Sequence, residues 1–284
     1  MSNSPRIKKP DWLRIKLPSA DEYSAMKMHL NKNKLHTICE SGNCPNRATC
    51  WHSGTATFLI LGNVCSRNCK FCDVKSGKPS EPDLKEPESV AEAVFQMNLK
   101  HCVITSVTRD DLADGGAEIW AETIKTVRRR NFGITIETLI PDFNGNANDI
   151  TKVMDAKPDI ISHNLETVKR LTPSIRSKAS YATSLNVIKI IFDFGIRSKS
   201  GIMLGLGENE NDIVETMHDL LNAGCEVLTL GQYLQPSRIN IPVSEYIDPQ
   251  QFEKYKQMAL SLGFPVVESG PLVRSSFNSH LHLR

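Results

Sequence analysis

Strand-like and helix-like runs alternate along most of this chain, and that alternation narrows the fold more than any other feature. "TATFLIL" (55–61) is β-branched and apolar, and the following "ESVAEAVFQM" places Val90, Val94 and Met97 at helical spacing. The same exchange repeats: strand-like at 101–107, 133–140, 159–166, 200–207 and 226–234, with helix-like runs at 115–130, about 146–156, 181–195, 210–224 and 248–263. "FPVVESG" reads as a last short extended piece. Six β/α units predict a parallel sheet, and strands apolar along their length are those covered on both faces. Six are too few for an eight-stranded closed barrel. The expected fold is α/β: an open, partial six-stranded β/α barrel with N- and C-terminal extensions. Its expected parts are an N-terminal extension (1–54), the barrel (55–263) and a C-terminal segment (264–284). Within the extension, "SADE" (19–22) is a capping box that predicts a short helix to about Asn31. Pro5, Pro10 and Pro18 keep the residues before it extended.

Polar residues gather just beyond the predicted strand ends: Thr108 to Asp111, Glu137, Asn164 with Glu166, Glu208 and Gln232. The C-terminal rim of the strands is where such folds place chemistry. The first strand runs straight into Cys65-x-x-x-Cys69-x-x-Cys72, so these thiols belong to the rim. Upstream, Cys39, Cys44 and Cys50 form a second triplet. Six of the eight cysteines thus fall within residues 39–72. Disulfides suit small secreted scaffolds, and clustered cysteines in a reducing compartment favour metal. Zinc is the competing reading, but structural zinc takes four ligands. The nearest further candidate to the second triplet, His52, lies across a predicted strand. An iron–sulfur cluster bound by three thiolates keeps one iron open to a small molecule. Cys102 and Cys225 stand alone in apolar strings and read as buried thiols.

Net charge is +2 from 34 basic and 32 acidic residues, which gives no electrostatic reason to expect nucleic acid or a membrane surface. Arg128–Arg130 sit where a helix should end, complementing its dipole. No apolar run reaches the ~18 residues of a membrane span, and the N-terminus lacks the hydrophobic stretch of a secretory signal. A cytoplasmic protein is expected.

The C-x₃-C-x₂-C spacing, with Phe71 before its last cysteine, resembles the radical S-adenosylmethionine (SAM) superfamily. The resemblance implies a [4Fe-4S] cluster on Cys65, Cys69 and Cys72 whose open iron takes SAM's amino and carboxylate groups. It also implies a 5′-deoxyadenosyl radical that abstracts hydrogen from unactivated carbon. In that superfamily a strand like "GIMLGLGE" (201–208), with Gly205 and Glu208, lies along the adenine; a turn or bulge is the competing reading. "RDDLADGGA" is a further candidate to meet SAM's polar end.

With C-x₄-C-x₅-C upstream, the pattern is similar to the lipoyl synthase family. "CESGNCPNRATCW", "ATFLILGNVCSRNCKFCDV", "VITSVTRDDLADGGA", "NLETVKRLTPSIR" and "LTLGQYLQPS" carry the similarity, which runs from about residue 36 to 277. The family implies a second, auxiliary [4Fe-4S] cluster on Cys39, Cys44 and Cys50. Its fourth ligand is a serine of a C-terminal Arg-Ser-Ser-Tyr motif. The motif here is Arg274-Ser275-Ser276-Phe277, so Ser276 is the implied ligand and Arg274 its orienting neighbour. Phe277 departs from the tyrosine and lacks its hydroxyl. Asn164 and Glu166 are candidates for SAM's ribose or amine and Arg176 for its carboxylate, against helix-cap or surface roles. His163 reads as structural.

The family implies insertion of two sulfurs, from the auxiliary cluster, at carbons six and eight of a protein-bound octanoyl chain, with two SAM per product. Expected partners are octanoylated lipoyl carrier domains (the E2 subunits of 2-oxoacid dehydrogenases and the glycine cleavage H protein). A reductant such as ferredoxin or flavodoxin and an iron–sulfur carrier that rebuilds the cluster complete the set. The alternatives are another sulfur-inserting enzyme of biotin synthase-like or methylthio-transferring type, or a two-cluster electron carrier. The last needs far less scaffold.

Overall fold

The computed structural model describes residues 8–14, 35–42, 44–46, 50, 55–176 and 178–283. The capping box at 19–22 and the helix expected after it lie outside these residues. Ten strands are described: β1 (His36–Thr37), β2 (Thr55–Ile60), β3 (Val64–Cys65), β4 (Lys75–Ser76), β5 (His101–Ser106), β6 (Thr135–Leu139), β7 (Ile160–Ser162), β8 (Arg197–Leu204), β9 (Val227–Gln232) and β10 (Val266–Gly270). Eight of them form one sheet in the order β1-β2-β5-β6-β7-β8-β9-β10. From β2 to β10 every neighbouring pair is parallel. Each new strand adds on the same side as the last, the winding of a β/α barrel rather than of a doubly wound sheet. The sheet stays open, its ends being β1 and β10.

The partial barrel expected from the sequence is present, with more strands than six. The run read as a short extended piece is a seventh parallel strand, β10, and β1 adds an antiparallel edge. Only Val267 of β10 is buried, so the continuous apolar signal of the earlier strands is missing there. β10 therefore belongs to the sheet rather than to the C-terminal segment. The fourth strand is shorter than 159–166: β7 ends at Ser162, and farther on left-handed Glu166 (φ 66°) touches β8 again through an isolated bridge to Ile202.

Helices α1 (Ile38–Ser41), α2 (Glu86–Gln96), α3 (Ala117–Arg130), α4 (Ala147–Asp155), α5 (Thr172–Ile175), α6 (Tyr181–Asp193), α7 (Glu210–Asn222) and α8 (Pro249–Leu262) link the strands. α7 starts on a full capping box from Asn209 and Asp212. α8 starts on Asp248 with Pro249 inside its first turn and ends at left-handed Gly263. Among the described residues no helix is long and apolar enough to cross a membrane.

Side chains alternate along a strand, so the two sheet faces carry different chemistry. Cys102, Ile104, Ile136 and Ile161 pack with Val90, Trp120, Ile124 and Ile150 of the helices in one core. The opposite positions include His101, Glu137, Ser162 and Lys199, all buried and all polar. The continuous burial expected from sequence is present, but one face is polar. The C-terminal residues lie against it: Ser279 and His282 are fully buried. Where they cross β9, a Cβ at Gly231 would clash with the Val273 carbonyl oxygen.

Gly231→Ala is therefore expected to displace the C-terminal segment and cost about 1–3 kcal/mol, as overpacking does. Urea denaturation checks it; an unchanged midpoint would contradict the close approach.

Candidate functional site at the barrel mouth

Past β2 the chain reverses through left-handed Leu61 (φ 65°) and Gly62 (φ 89°) into the loop that carries the second cysteine triplet. Parallel pairing of β3 with β4 closes that loop at its base. Arg67, between the first two cysteines, clasps it to the rim. Its guanidinium donates to both oxygens of Asp110 and of Asp142 at 2.7–3.2 Å, and to Asn144 Oδ1 at 2.8 Å. Asp110 follows β5 and Asp142 follows β6, so one side chain ties three loops together. Two carboxylates hold the Arg67 pKa well above its ordinary value despite burial, and the same contacts lower those of Asp110 and Asp142. Further pins run from Ser66 N to Thr108 O (3.0 Å), Lys70 N to Ile175 O (3.0 Å) and Asn240 Nδ2 to Cys72 O (2.8 Å). Phe71 packs beside Ile175, Leu206 and Tyr233.

The three thiols open onto a cavity of about 250 Å³ whose wall also includes Asn164, Glu166 and Arg176. Cys65 Sγ accepts backbone N–H bonds from Arg67 and Thr108, each at 3.4 Å. Burial pushes the Cys69 thiol up to about 11, with Arg176 opposing. Burial, together with the charges of Cys69 and Cys65, pushes Cys72 up to about 12. Thiols that raise one another's pKa ionise together only around a positive centre, and N–H donors to sulfur suit a cluster ligand. The donor set fits a cluster held by three thiolates. Among the described residues no three His, Cys, Asp or Glu side chains close around a single metal ion.

The far wall comes from the turn after β7. Arg176 donates to Leu165 O at 3.0 Å and to Ser184 Oγ at 3.1 Å, and Ser184 Oγ lies 3.0 Å from His163 Nε2. His163 Nδ1 lies 2.9 Å from the Ile140 carbonyl, which fixes the tautomer with the proton on Nδ1. Burial lowers the His163 pKa to about 4, so the ring is neutral and structural, as the sequence reading had it. Burial raises the Glu166 pKa, opposed by Arg176 and by Asn164. Asn164 Nδ2 donates to Glu166 Oε1 at 3.1 Å and to Ser275 Oγ at 2.6 Å. Asn164 Oδ1 is buried and has no hydrogen-bond partner among the described residues.

The first triplet lies beside this mouth. Cys39 is on α1, whose N-cap Thr37 accepts from Glu40 N at 3.3 Å, and the adjoining Ile38 lines the same cavity. Cys44 N donates to Cys39 O (3.1 Å) and Cys50 N to Asn46 O (2.9 Å), which coils the loop. Burial pushes the Cys50 thiol up to about 12, and the nearby Cys44 and Cys39 add to it. The C-terminal motif reaches the same place. Asn46 Nδ2 donates to Leu272 O at 2.5 Å across 226 residues of sequence, and the half-buried Arg274 guanidinium, its pKa lowered by burial, lies beside Cys44. Arg274 NH1 donates to Val273 O at 2.6 Å. Ser275, rather than Ser276, makes the bond to Asn164.

Not every residue singled out from the sequence faces this cavity. Glu208 turns back to accept from the Gly205 and Leu206 backbone N–H groups at 2.5 and 2.9 Å, so it caps the turn after β8. Gly205 (φ 94°) approaches the Glu245 backbone too closely for a Cβ. Neither lines the cavity. Gln232 donates to three carbonyls and accepts from Ile247 N, stapling the following loop. Arg109 pairs with Asp111 and donates to Leu61 O and Ser80 O. Glu137 is buried against Lys199 rather than exposed at the mouth. Arg67 was missed. The signal was there: a lone arginine inside the cysteine loop, with aspartates just past the second and third predicted strands.

The Radical SAM superfamily profile matches residues 59–220. The chain is 53% identical over 280 residues to "Lipoyl synthase, mitochondrial" of Nematostella vectensis, covering 98% of this chain and 96% of that protein. It is 54% identical over 278 residues to the lipoyl synthase of Phocaeicola vulgatus, covering 98% of each. In architecture it is similar to methylornithine synthase (TM-score 0.57, 12% identity, 89% of this chain and 79% of that one). It is also similar to HydG, a maturase of the [FeFe]-hydrogenase (TM-score 0.57, 13% identity, 93% and 78%). At such identities these last two speak for the fold alone.

Arg67→Met leaves two aspartates at the loop without their cation and is expected to cost about 3–5 kcal/mol, the penalty for breaking a buried pair. Urea denaturation of the metal-free protein reads it, and a loss under about 1 kcal/mol would contradict the clasp. His163→Gln is expected to be destabilised at pH 7. A histidine kept neutral in the fold loses its stabilising contribution as pH falls below the ordinary value of about 6.5. The gap between variant and wild type should therefore narrow from about pH 6.5 to 4, by up to about 1.4 kcal/mol per pH unit. A gap independent of pH would contradict the neutral ring.

Proposed function

The chain belongs to the lipoyl synthase family within the radical SAM superfamily, and from that premise we propose that it inserts two sulfur atoms at carbons six and eight of a protein-bound octanoyl chain. The observation that carries the reading is the meeting of the Cys39–Cys50 loop with the Leu272–Arg274 segment beside the Cys65–Cys72 loop, three distant stretches of chain at one mouth.

Cys65, Cys69 and Cys72 hold the radical SAM [4Fe-4S] cluster, and when bound, cluster and SAM together supply one-electron chemistry able to take hydrogen from an alkane carbon, which no side chain here can do. The protein's residues bind and orient. The charge of Arg67 is matched by two aspartates, whereas Arg176 acts on Glu166 and Cys69 within the cavity. Arg176 is thus the cation suited to SAM's carboxylate, and Glu166 the half-buried acceptor suited to its ammonium. The unpartnered Asn164 Oδ1 is free to accept a ribose hydroxyl or the amine. Gly205 and Glu208 shape the turn after β8 and act on SAM only through it.

Cys39, Cys44 and Cys50, with Ser276 as the fourth ligand, would hold the auxiliary [4Fe-4S] cluster, which would supply the sulfur. A hydroxyl is a hard, weak ligand for such a cluster, so Ser276 would be the ligand most easily released. Arg274, half-buried beside Cys44, offers a positive charge to that thiolate set. The substrates are octanoyl-lysine arms on lipoyl carrier domains of 2-oxoacid dehydrogenases and of the glycine cleavage H protein. Electrons come from a small reductant such as ferredoxin or flavodoxin, and an iron–sulfur carrier rebuilds the auxiliary cluster.

Anaerobic incubation of loaded protein with SAM, dithionite and an octanoyl-lysine peptide tests the reading. Wild type is expected to give a peptide carrying two added sulfurs. Cys39→Ala is expected to cleave SAM yet form no thiolated peptide, and Cys69→Ala to do neither. Thiolation by Cys39→Ala would overturn the assignment of the first triplet; SAM cleavage without any thiolation by wild type would overturn the function.

A further inference from the structure

The polar inner face of the sheet has a use that ligand binding at the mouth does not explain. The segment after β10 leaves the rim at Ser275, whose hydroxyl takes the Asn164 bond at 2.6 Å, and then runs onto this face. Residues Ser279–Leu283 form a short 3₁₀ turn with Ser279 and His282 fully buried. Ser279 Oγ lies 2.8 Å from His101 Nε2, and His101 Nδ1 lies 2.8 Å from Thr135 Oγ1. Thr135 Oγ1 donates to Lys100 O at 3.2 Å, so it accepts from His101 Nδ1–H, and Nε2 accepts from Ser279. His101 opens β5 and Thr135 opens β6, at the strand ends opposite the cysteines.

A second anchor lies deeper. Lys199, with no exposed surface, donates to both Glu137 oxygens at 2.8 and 3.0 Å and approaches His282 Nδ1 at 3.1 Å. Ser162 Oγ donates to the same Glu137 at 2.9 Å. His282 is thus neutral and accepts at Nδ1, with Glu268 3.8 Å from its Nε2. A buried ion pair is weak as a stabiliser and better attested as a device that fixes register. This one contacts the C-terminal segment directly.

We propose that Lys199, held by Glu137, and His101 are positioning residues for the auxiliary cluster. Through His282 and Ser279 they grip the last turn from below while Asn164 grips Ser275 from above, which fixes Ser276 between them. The inference rests on the functional reading for what Ser276 does, but the grip itself can be read without metal. Two variants divide the test: Ser279→Ala with His282→Phe on the segment, and Glu137→Gln with Lys199→Met on the sheet, the latter removing both charges together. In metal-free protein, amide exchange over 275–283 is expected to speed up at least ~10-fold in each, with exchange in β8 unchanged within ~2-fold. In loaded protein, peptide thiolation is expected to fall at least ~10-fold while SAM cleavage stays within ~2-fold of wild type.

Unchanged exchange over 275–283 in both variants would overturn the proposal. So would a loosened segment with wild-type thiolation, or a loss of SAM cleavage in step with thiolation. Absence of thiolation by wild type would overturn the functional reading instead, and the exchange measurement would still decide whether the grip exists.

Discussion

Three sulfurs drawn into a half-buried loop repel one another as soon as they ionise, and much of this structure follows from holding them there. Burial pushes Cys69 and Cys72 to about 11 and 12, and the neighbouring thiols add to the shift. A loop under that repulsion would spread unless something outside it opposed the spreading. Arg67 does so with two aspartates from two different strand ends, and bonds to the Thr108 and Ile175 carbonyls and from the Asn240 side-chain amide complete the frame. A scaffold already assembled around the thiols leaves less ordering to accompany metal binding.

The openness of the barrel is the second constraint. A closed eight-stranded barrel fills its centre with layers of its own apolar side chains. Seven parallel strands that do not close leave an inner face, and the chain covers it with its own C-terminal turn. That explains why inward positions carry His101, Glu137, Ser162 and Lys199, and why each is hydrogen-bonded. The same segment brings Arg274 and its neighbours to the first cysteine triplet. One stretch thus fills the interior at one end and reaches the chemistry at the other.

Much of this was legible in the sequence, for definite reasons. The outer faces of the strands and the apolar stripes of α2, α3 and α7 are strongly periodic, so the alternation could be read directly. Cysteine triplets at short spacing are as visible in sequence as in space. Contacts between distant segments were hidden. Nothing local ties Asn46 to Leu272, or Ser279 to His101, across about two hundred residues. β10 reads from sequence as an extended piece but not as a sheet strand, because four of its five residues are only half buried. Glu137, Glu208 and Gln232 read from sequence as rim groups facing a ligand; instead Glu137 pairs with buried Lys199, Glu208 caps the turn after β8, and Gln232 staples the loop to Glu245.

The central claim is that both thiol triplets serve one mouth, with the C-terminal serine motif closing the second site. A crystal structure of protein loaded with iron and sulfide under argon tests it most directly. The account predicts two four-iron clusters, one on Cys65, Cys69 and Cys72, the other on Cys39, Cys44 and Cys50 with Ser276 Oγ bonded to its remaining iron. A single cluster per chain, or a second one with Ser276 turned away from it, would contradict the account.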